Sequence, residues 1–112
     1  MVKAKVQAAQ NNINGSGLAE YVHILEGDAT LTLSKIEGNV DMLIIDGFPD
    51  CALEILKIMI PKLRAGAIVL ADNIKTFKST LTDYLNFVKA SENGFVSYTM
   101  PFKDGTEFSI KL

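Results

Sequence analysis

Short apolar runs that alternate with helix-like segments are the feature that most limits what this chain can fold into. Two of the runs, 42–45 and 67–71, contain no charged residue, which is typical of strands covered on both faces. A third run at 21–25 ends at Gly27-Asp28 and is also predicted to be a strand. Helical spacing of apolar residues lies before, between and after these runs, so we predict an α/β fold with a mostly parallel sheet.

Four helices and a terminal hairpin complete the predicted order. The helices are predicted at 2–13, 30–37, 51–63 and 77–91, from apolar residues spaced three and four apart. Towards the C-terminus the period changes to two, over 96–100 and 108–112, with Asp104-Gly105 as the turn. The chain is therefore predicted to be one domain over residues 1–112, a partial doubly wound sheet that ends in an antiparallel hairpin.

Composition narrows the classes of function open to such a domain. The 112 residues carry a formal net charge of −2, with lysine and arginine scattered, so no basic surface for nucleic acid is predicted. No apolar run approaches the roughly 20 residues needed to span a bilayer, and Met1 begins no recognisable secretory signal. Cys51 is the only cysteine, which excludes an internal disulfide and a cysteine-based zinc site. These observations predict a cytoplasmic protein.

Acidic residues follow each of the three predicted strands. Asp46 and Asp72 come directly after apolar runs, Asp28 follows the first run, and Asn73 adds an amide. Because the carboxyl ends of parallel strands meet at one edge of a sheet, these side chains are predicted to line that edge. Carboxylate and amide oxygens suit Mg²⁺ or Ca²⁺, so Asp46, Asp72 and Asn73 are candidate metal ligands. Helix capping is the alternative role, and it is strongest for Asp28.

Four segments resemble a known protein family. They read GLAEYVHILEGDA at 17–29, VDMLIIDG at 40–47, LRAGAIVLADN at 63–73 and MPFKDGTEFSIKL at 100–112. In order and spacing they resemble the C-terminal part of class I S-adenosylmethionine-dependent O-methyltransferases, the catechol O-methyltransferase-like family. The resemblance implies a Rossmann-like sheet, S-adenosylmethionine as cofactor, and methyl transfer to a hydroxyl group of a small molecule.

The resemblance also implies roles for particular residues. It makes Asp46, Asp72 and Asn73 the ligands of a divalent metal that orients the substrate hydroxyls. It implies cofactor-binding roles for Asp46 and for Asp28 and Ala29, the last two beside the adenine. The first two strands of the family, with its glycine-rich turn and its ribose-binding acid, would precede Met1. The isolated chain is therefore predicted to be incomplete or inactive.

No catalytic residue is assigned. Many relatives carry a lysine three residues after the metal-binding aspartate, and Pro49 occupies that position here. Two other functions stay open: a non-catalytic α/β module that self-associates or binds a ligand, and a receiver-like phosphoacceptor with Asp46 as its acceptor. The hydrophobic fraction of 48% indicates either strands that are buried on both faces or an apolar surface that needs a partner. We expect a homodimer, or exchange of the N-terminal helix between two chains.

Overall fold

The computed structural model describes residues 2–112 and divides the chain into two compact units. The first unit ends at Ile36, and the second runs from Glu37 to Leu112. The single-domain organisation stays a prediction. No helix among the described residues is both long and apolar enough to cross a membrane.

The first unit contains two helices. α1 spans Lys3–Ser16, and Gly17 follows it with a φ of 78°, the left-handed conformation that commonly closes a helix. The predicted end of this helix, Asn14-Gly15, lies inside it. α2 spans Ala29–Thr32 and continues as a 3₁₀ turn over Leu33–Lys35, which confirms the short helix predicted in this region.

The prediction of a strand at 21–25 is wrong. These residues form a turn followed by a segment without strand pairing among residues 2–112. Tyr21 keeps 75% of its surface exposed, and Val22 and Leu25 are exposed as well. A strand is stable only when its backbone groups bond to a neighbour.

The second unit alternates strands and helices and ends in a hairpin. Its elements are β1 (Val40–Ile45), α3 (Ala52–Met59), β2 (Leu63–Asp72), α4 (Thr82–Lys89), β3 (Phe95–Met100) and β4 (Thr106–Lys111). Single 3₁₀ turns lie at Pro49–Cys51, Ile60–Lys62 and Ser91–Asn93. Asp104 and Gly105 lie between β3 and β4, which confirms the predicted hairpin.

The four strands form one sheet in the order β1-β2-β4-β3. β1 runs parallel to β2, whereas β4 is antiparallel to both β2 and β3. This mixed arrangement confirms the predicted α/β fold, a partial Rossmann-like sheet with a C-terminal antiparallel hairpin. Because residues 21–25 add no strand, the expected mostly parallel character is reduced to the single pair of β1 and β2.

Several element boundaries in the second unit differ from the prediction, and the starts of β2 and α4 differ most. β2 begins at Leu63, earlier than predicted, because Pro61 lies in a 3₁₀ turn and helical structure ends at Lys62. Gly66 lies inside β2 with a φ of 84°, where the register between β1 and β2 is irregular. α4 begins at Thr82, later than predicted, and hydrogen-bonded turns precede it.

The prediction that the two apolar runs are covered on both faces is wrong. Ile45 of β1 and Val69 of β2 are buried, but Ile44 keeps 61% of its surface exposed. The core lies on the covered face, where the fully buried side chains include Leu56 of α3 and Val88 of α4. Since α3 contacts α4 and α4 contacts β3, the two helices and one face of the sheet enclose this core.

Candidate functional site

The carboxyl end of the parallel strand pair holds two acidic residues. In the register of the sheet, Ile45 of β1 stands beside Ala71 of β2. Asp46 directly follows Ile45, and Asp72 directly follows Ala71, so the two acidic residues come at equivalent positions of the neighbouring strands. Both are exposed. Neighbouring strands lie about 4.8 Å apart. We call Asp46, Asp72 and Asn73 the acidic edge.

Asp72 and Asn73 are held by hydrogen bonds from the backbone and from the hairpin. The backbone N–H of Asn73 donates to Oδ1 of Asp72 at 2.8 Å, and the Thr106 hydroxyl donates to the same atom at 3.0 Å. Asn73 has a φ of 58° and is the one non-glycine residue among residues 2–112 with a positive φ. Asparagine tolerates this conformation better than most residues. These bonds fix the Asp72 carboxylate against the strand that carries Thr106.

The turn of the hairpin packs against the segment that follows Asn73. The Ile74 amide donates to the Gly105 carbonyl at 3.2 Å, and the Lys75 amide donates to the Asp104 carbonyl at 2.9 Å. A Cβ on Gly105 would lie 2.8 Å from side-chain atoms of both Ile74 and Lys75. Gly105 also has a φ of 72°, so glycine is required for conformation and for space. The sequence predicted the turn but not this support of the acidic edge.

Asp28, in the first unit, is the N-cap of α2. Its Oδ1 accepts the Thr30 hydroxyl at 2.6 Å and the Thr30 backbone amide at 2.8 Å. These two hydrogen bonds hold the pKa of the Asp28 carboxyl below its usual value, and the bond from the Thr30 hydroxyl has the larger effect. The capping role is therefore present, and Ala29 is the first residue of the helix. The cofactor roles of Asp28 and Ala29 stay predictions.

A buried polar cluster lies on the covered face of the hairpin, and the sequence did not predict it. Glu107 of β4 is completely buried, and Ser97 and Thr99 of β3 each donate a hydrogen bond to its carboxylate at 2.5 Å. The Lys89 ammonium of α4 lies 3.0 Å from the same carboxylate. The Ser97 and Ser109 hydroxyl oxygens are 2.7 Å apart, and Ser109 donates because Ser97 uses its single hydrogen on Glu107.

Tyr84 of α4 is part of the same covered face. Its hydroxyl is buried and has no hydrogen-bond partner among residues 2–112. Burial raises the pKa of the Tyr84 hydroxyl, and the negative charge of Glu107 raises it further, so the hydroxyl is protonated at neutral pH. The ion pair between Lys89 and Glu107 ties α4 to the hairpin, and we assign this cluster a structural role.

The donor atoms of the acidic edge are oxygens only. Residues 2–112 contain no group of three or more His, Cys, Asp or Glu side chains placed to hold a metal ion. The acidic edge is a different donor set, two carboxylates and one amide, and such hard oxygens fit Mg²⁺ or Ca²⁺ by their chemistry.

A cavity of about 550 Å³ lies elsewhere in the second unit, where Leu53, Glu54 and Tyr84 contribute to its lining.

Comparison with known sequences decides the family. Residues 3–74 match the model of a family described as a methyltransferase domain. The chain belongs to this methyltransferase-domain family. The match covers more than half of the chain and includes Asp28, Asp46, Asp72 and Asn73, so the resemblance to a methyltransferase is confirmed. A search of the curated proteins returned no significant match.

Solved structures of methyltransferases have the same fold. SAH-bound PaMTH1 from Podospora anserina aligns with a TM-score of 0.89 and 18% identity, over 99% of this chain and 58% of that chain. The O-methyltransferase from Bacillus cereus in complex with SAH has a TM-score of 0.89 and 14% identity, over 99% and 60%. TomG from Streptomyces achromogenes, an O-methyltransferase in complex with SAM, has a TM-score of 0.88 and 15% identity, over 98% and 58%. The methyltransferase-domain chain thus spans less than two thirds of these relatives.

Membership of the methyltransferase-domain family does not by itself assign the site residues. Asp46, Asp72 and Asn73 lie together at the end of β1 and β2, whereas Asp28 caps a helix of the first unit. Pro49, at the position where the resemblance implies lysine in many relatives, begins a 3₁₀ turn after β1. No catalytic residue is assigned in this methyltransferase-domain chain.

Proposed function

We propose that the chain is part of an S-adenosylmethionine-dependent O-methyltransferase, and that its acidic edge holds a divalent cation against which a small-molecule hydroxyl is oriented. The observation that carries this proposal is the register of β1 and β2, which brings Asp46 and Asp72 to neighbouring strand ends. It is supported by the family match and by similar solved structures that are O-methyltransferases, one with SAH and one with SAM.

The residues of the acidic edge have distinct parts in this proposal. Asp46 and Asp72 supply the negative charge that attracts a divalent cation, and Asn73 supplies a neutral amide oxygen. Thr106 positions Asp72 through its bond to Oδ1, so that the carboxylate is oriented before an ion binds. A divalent cation, when bound, favours the deprotonated form of an acceptor hydroxyl. Asp46, Asp72 and Asn73 would fix the position of that cation, and with it the place at which an acceptor hydroxyl is oriented.

Cofactor binding by the isolated chain is proposed to be weak. By resemblance, Asp28 and Ala29 lie beside the adenine, and Asp46 also belongs to the cofactor site. The Oδ1 atom of Asp28 already bonds Thr30. The glycine-rich turn, which in the family lets backbone amides approach the cofactor closely, would precede Met1. The chain alone is therefore expected to transfer no methyl group at a measurable rate.

Calorimetric titration with S-adenosylmethionine tests this part of the proposal. We expect no saturable heat at micromolar concentrations of the 112-residue chain, because these residues do not include the glycine-rich turn whose backbone amides approach the cofactor in the family. The Asp28→Ala variant is the control, since heat that is unchanged by this substitution does not come from the predicted adenine site. Micromolar affinity that Asp28→Ala abolishes would show that the chain binds the cofactor without the glycine-rich turn.

We further propose that the chain forms a homodimer and acts in the cytoplasm. The homodimer is supported by the exposed apolar side chains of β1 and β3, among them Ile44 and Tyr98. The cytoplasmic location rests on the single cysteine, Cys51. A non-catalytic module that self-associates is the second candidate function, and the same exposed side chains favour it. Divalent-ion binding at the acidic edge separates the two, because only the enzyme needs it.

A further inference from the structure

Thr106 of β4 is the direct neighbour of Asp72 across the sheet. The two residues are partners in the antiparallel register of β2 and β4, and the Thr106 hydroxyl donates to Oδ1 of Asp72 at 3.0 Å. Ala71 is buried, so the alternation of side chains along a strand turns Asp72 to the opposite, exposed face. The same alternation predicts that Asp46, which follows the buried Ile45, faces the same way. Thr106 thus lies in one row with the two carboxylates of the acidic edge.

The Oδ1 atom of Asp72 has both of its acceptor positions in use. It accepts the backbone N–H of Asn73 at 2.8 Å and the Thr106 hydroxyl at 3.0 Å. An ionised carboxylate has about four lone-pair sites on its two oxygens, so two donors fill one oxygen. Oδ2 is then the oxygen of Asp72 that stays available to a cation. The Asp72 side chain is therefore a ligand through one oxygen, although a carboxylate in general can bind a cation through two.

The two donors to Oδ1 differ in what they depend on. The backbone N–H of Asn73 belongs to the turn after β2 and is present with any residue there except proline. The Thr106 hydroxyl comes from a different strand and depends on the side chain alone. Thr106 is half-buried, and a β-branched side chain has few rotamers, so the hydroxyl is held towards Asp72. The use of Asp72 through one oxygen is thus under the control of a single side chain.

The number of carboxylate oxygens that reach an ion distinguishes small divalent cations from large ones. Ca²⁺ takes about 6–8 oxygen ligands and commonly binds a carboxylate through both oxygens. Mg²⁺ demands an octahedron, keeps several waters, and is usually held by one or two carboxylates. An acidic edge in which Asp72 supplies one oxygen offers few protein ligands, and this suits the smaller ion.

We infer that the Thr106 hydroxyl makes the acidic edge select Mg²⁺ over Ca²⁺, because it keeps Asp72 a ligand through one oxygen. This inference rests on the proposed function, since it requires that the acidic edge bind a divalent cation. Thr106 is a positioning residue, which acts on the cation through Asp72. Without the hydroxyl, Oδ1 regains a free acceptor position, and Asp72 can then bind the larger ion through both oxygens.

Competition with Mn²⁺ measures this selectivity in the 112-residue chain. Bound Mn²⁺ is displaced with MgCl₂ or CaCl₂ at constant ionic strength, and the electron paramagnetic resonance signal of free Mn²⁺ gives both dissociation constants. Wild type is expected to bind Mg²⁺ about tenfold more tightly than Ca²⁺. Thr106→Val is expected to reduce this preference at least about tenfold. The preference is the informative quantity, because an acidic edge that is merely loosened would bind both ions more weakly.

Two further variants show whether the hydroxyl itself is responsible. Thr106→Ser keeps a hydroxyl at the same position, so it is expected to keep the wild-type preference for Mg²⁺. Thr82→Val is the matched control, since the Thr82 hydroxyl donates instead to the Lys78 carbonyl at 2.8 Å, and it should change neither dissociation constant. Circular dichroism shows whether the variants are folded, which we expect because valine has the shape of threonine and favours strands. Thr106→Ala is a second variant without the hydroxyl, for use if Thr106→Val does not fold.

The outcomes separate the role of Thr106 from the cation site itself. Wild type that binds none of the three ions would overturn the proposed cation site and this inference with it. Wild type that binds Ca²⁺ more tightly than Mg²⁺ would overturn the inference alone. An unchanged preference in Thr106→Val would leave the cation site standing and overturn the role of Thr106. A reduced preference that Thr106→Ser shares would also overturn that role, because the effect would then come from packing.

Discussion

Replacing Lys89 by methionine is expected to lower the free energy of unfolding by about 2–4 kcal/mol. The Glu107 carboxylate is completely buried, and the Lys89 ammonium lies 3.0 Å from it. Without that ammonium, a buried negative charge keeps its bonds from Ser97 and Thr99 but loses its ion-pair partner. Because the Lys89 side chain is 45% exposed, water replaces part of the lost interaction, and we expect less than the full cost of breaking a buried pair.

Urea denaturation of matched variants measures the Lys89 effect. Lys78→Met removes an exposed lysine from the same unit, and it should change the free energy of unfolding by no more than about 0.5 kcal/mol. Adding Glu107→Gln to Lys89→Met removes the buried charge, and most of the stability should return. Equal losses in Lys89→Met and Lys78→Met would mean that the ion pair contributes nothing to stability.

Replacing Gly105 by alanine is expected to cost about 2–4 kcal/mol of stability, the other large effect. The new Cβ would lie 2.8 Å from side-chain atoms of Ile74 and Lys75, and the φ of 72° would be strained for alanine. Gly94 offers a matched control, because it has a φ of 80° but open space where a Cβ would be. Gly94→Ala should therefore cost only about 1 kcal/mol, from backbone strain alone.

The same denaturation experiment separates strain from crowding at Gly105. The difference between Gly105→Ala and Gly94→Ala measures the contact between the hairpin turn and the segment after Asn73. Since this contact positions the segment that follows Asp72, Gly105→Ala should also weaken any divalent-ion binding, whereas Gly94→Ala should not. Equal losses of stability in the two variants would contradict the close packing around Gly105.

The sequence predicted the order of the helices and strands better than it predicted which strands pair and which faces are buried. The runs at 42–45 and 67–71, the hairpin turn at Asp104-Gly105 and most of the helices are present in the structure. These signals are local, because apolar spacing and turn residues act within a few positions. Residues 21–25 carry a similar signal and form no strand, because pairing depends on a neighbour that a local pattern does not contain.

The face that each strand buries could not be predicted from the pattern. Alternation at 96–100 and 108–112 indicates a hairpin with two different faces, but it does not state which face meets the helices. The structure has Glu107 inside and Ile110 outside. A signal was present: Ser97 and Thr99 stand opposite Ser109 and Glu107, so a polar group on each strand could bond one on the other. Recognising it required the register of the hairpin.

The acidic edge could be predicted because it depends only on strand direction. Parallel neighbours end at the same side of a sheet, so acids that follow two such strands come together. The residues that support it, Thr106 and Gly105, come from the far hairpin, and their role depends on β4 lying between β2 and β3. That strand order does not follow from sequence neighbours.

Thermal unfolding with and without divalent ions tests the central claim, that the acidic edge binds a divalent cation. In millimolar Mg²⁺ or Ca²⁺, at constant ionic strength, the melting temperature of wild type should rise, because a tenfold excess over the dissociation constant stabilises by about 1.4 kcal/mol. Asp72→Ala and Asp46→Ala should abolish the rise, while Asp83→Ala, which removes an exposed carboxylate of α4, should keep it. A melting temperature that neither ion changes would contradict the claim. So would an increase in melting temperature that persists in the Asp72→Ala variant.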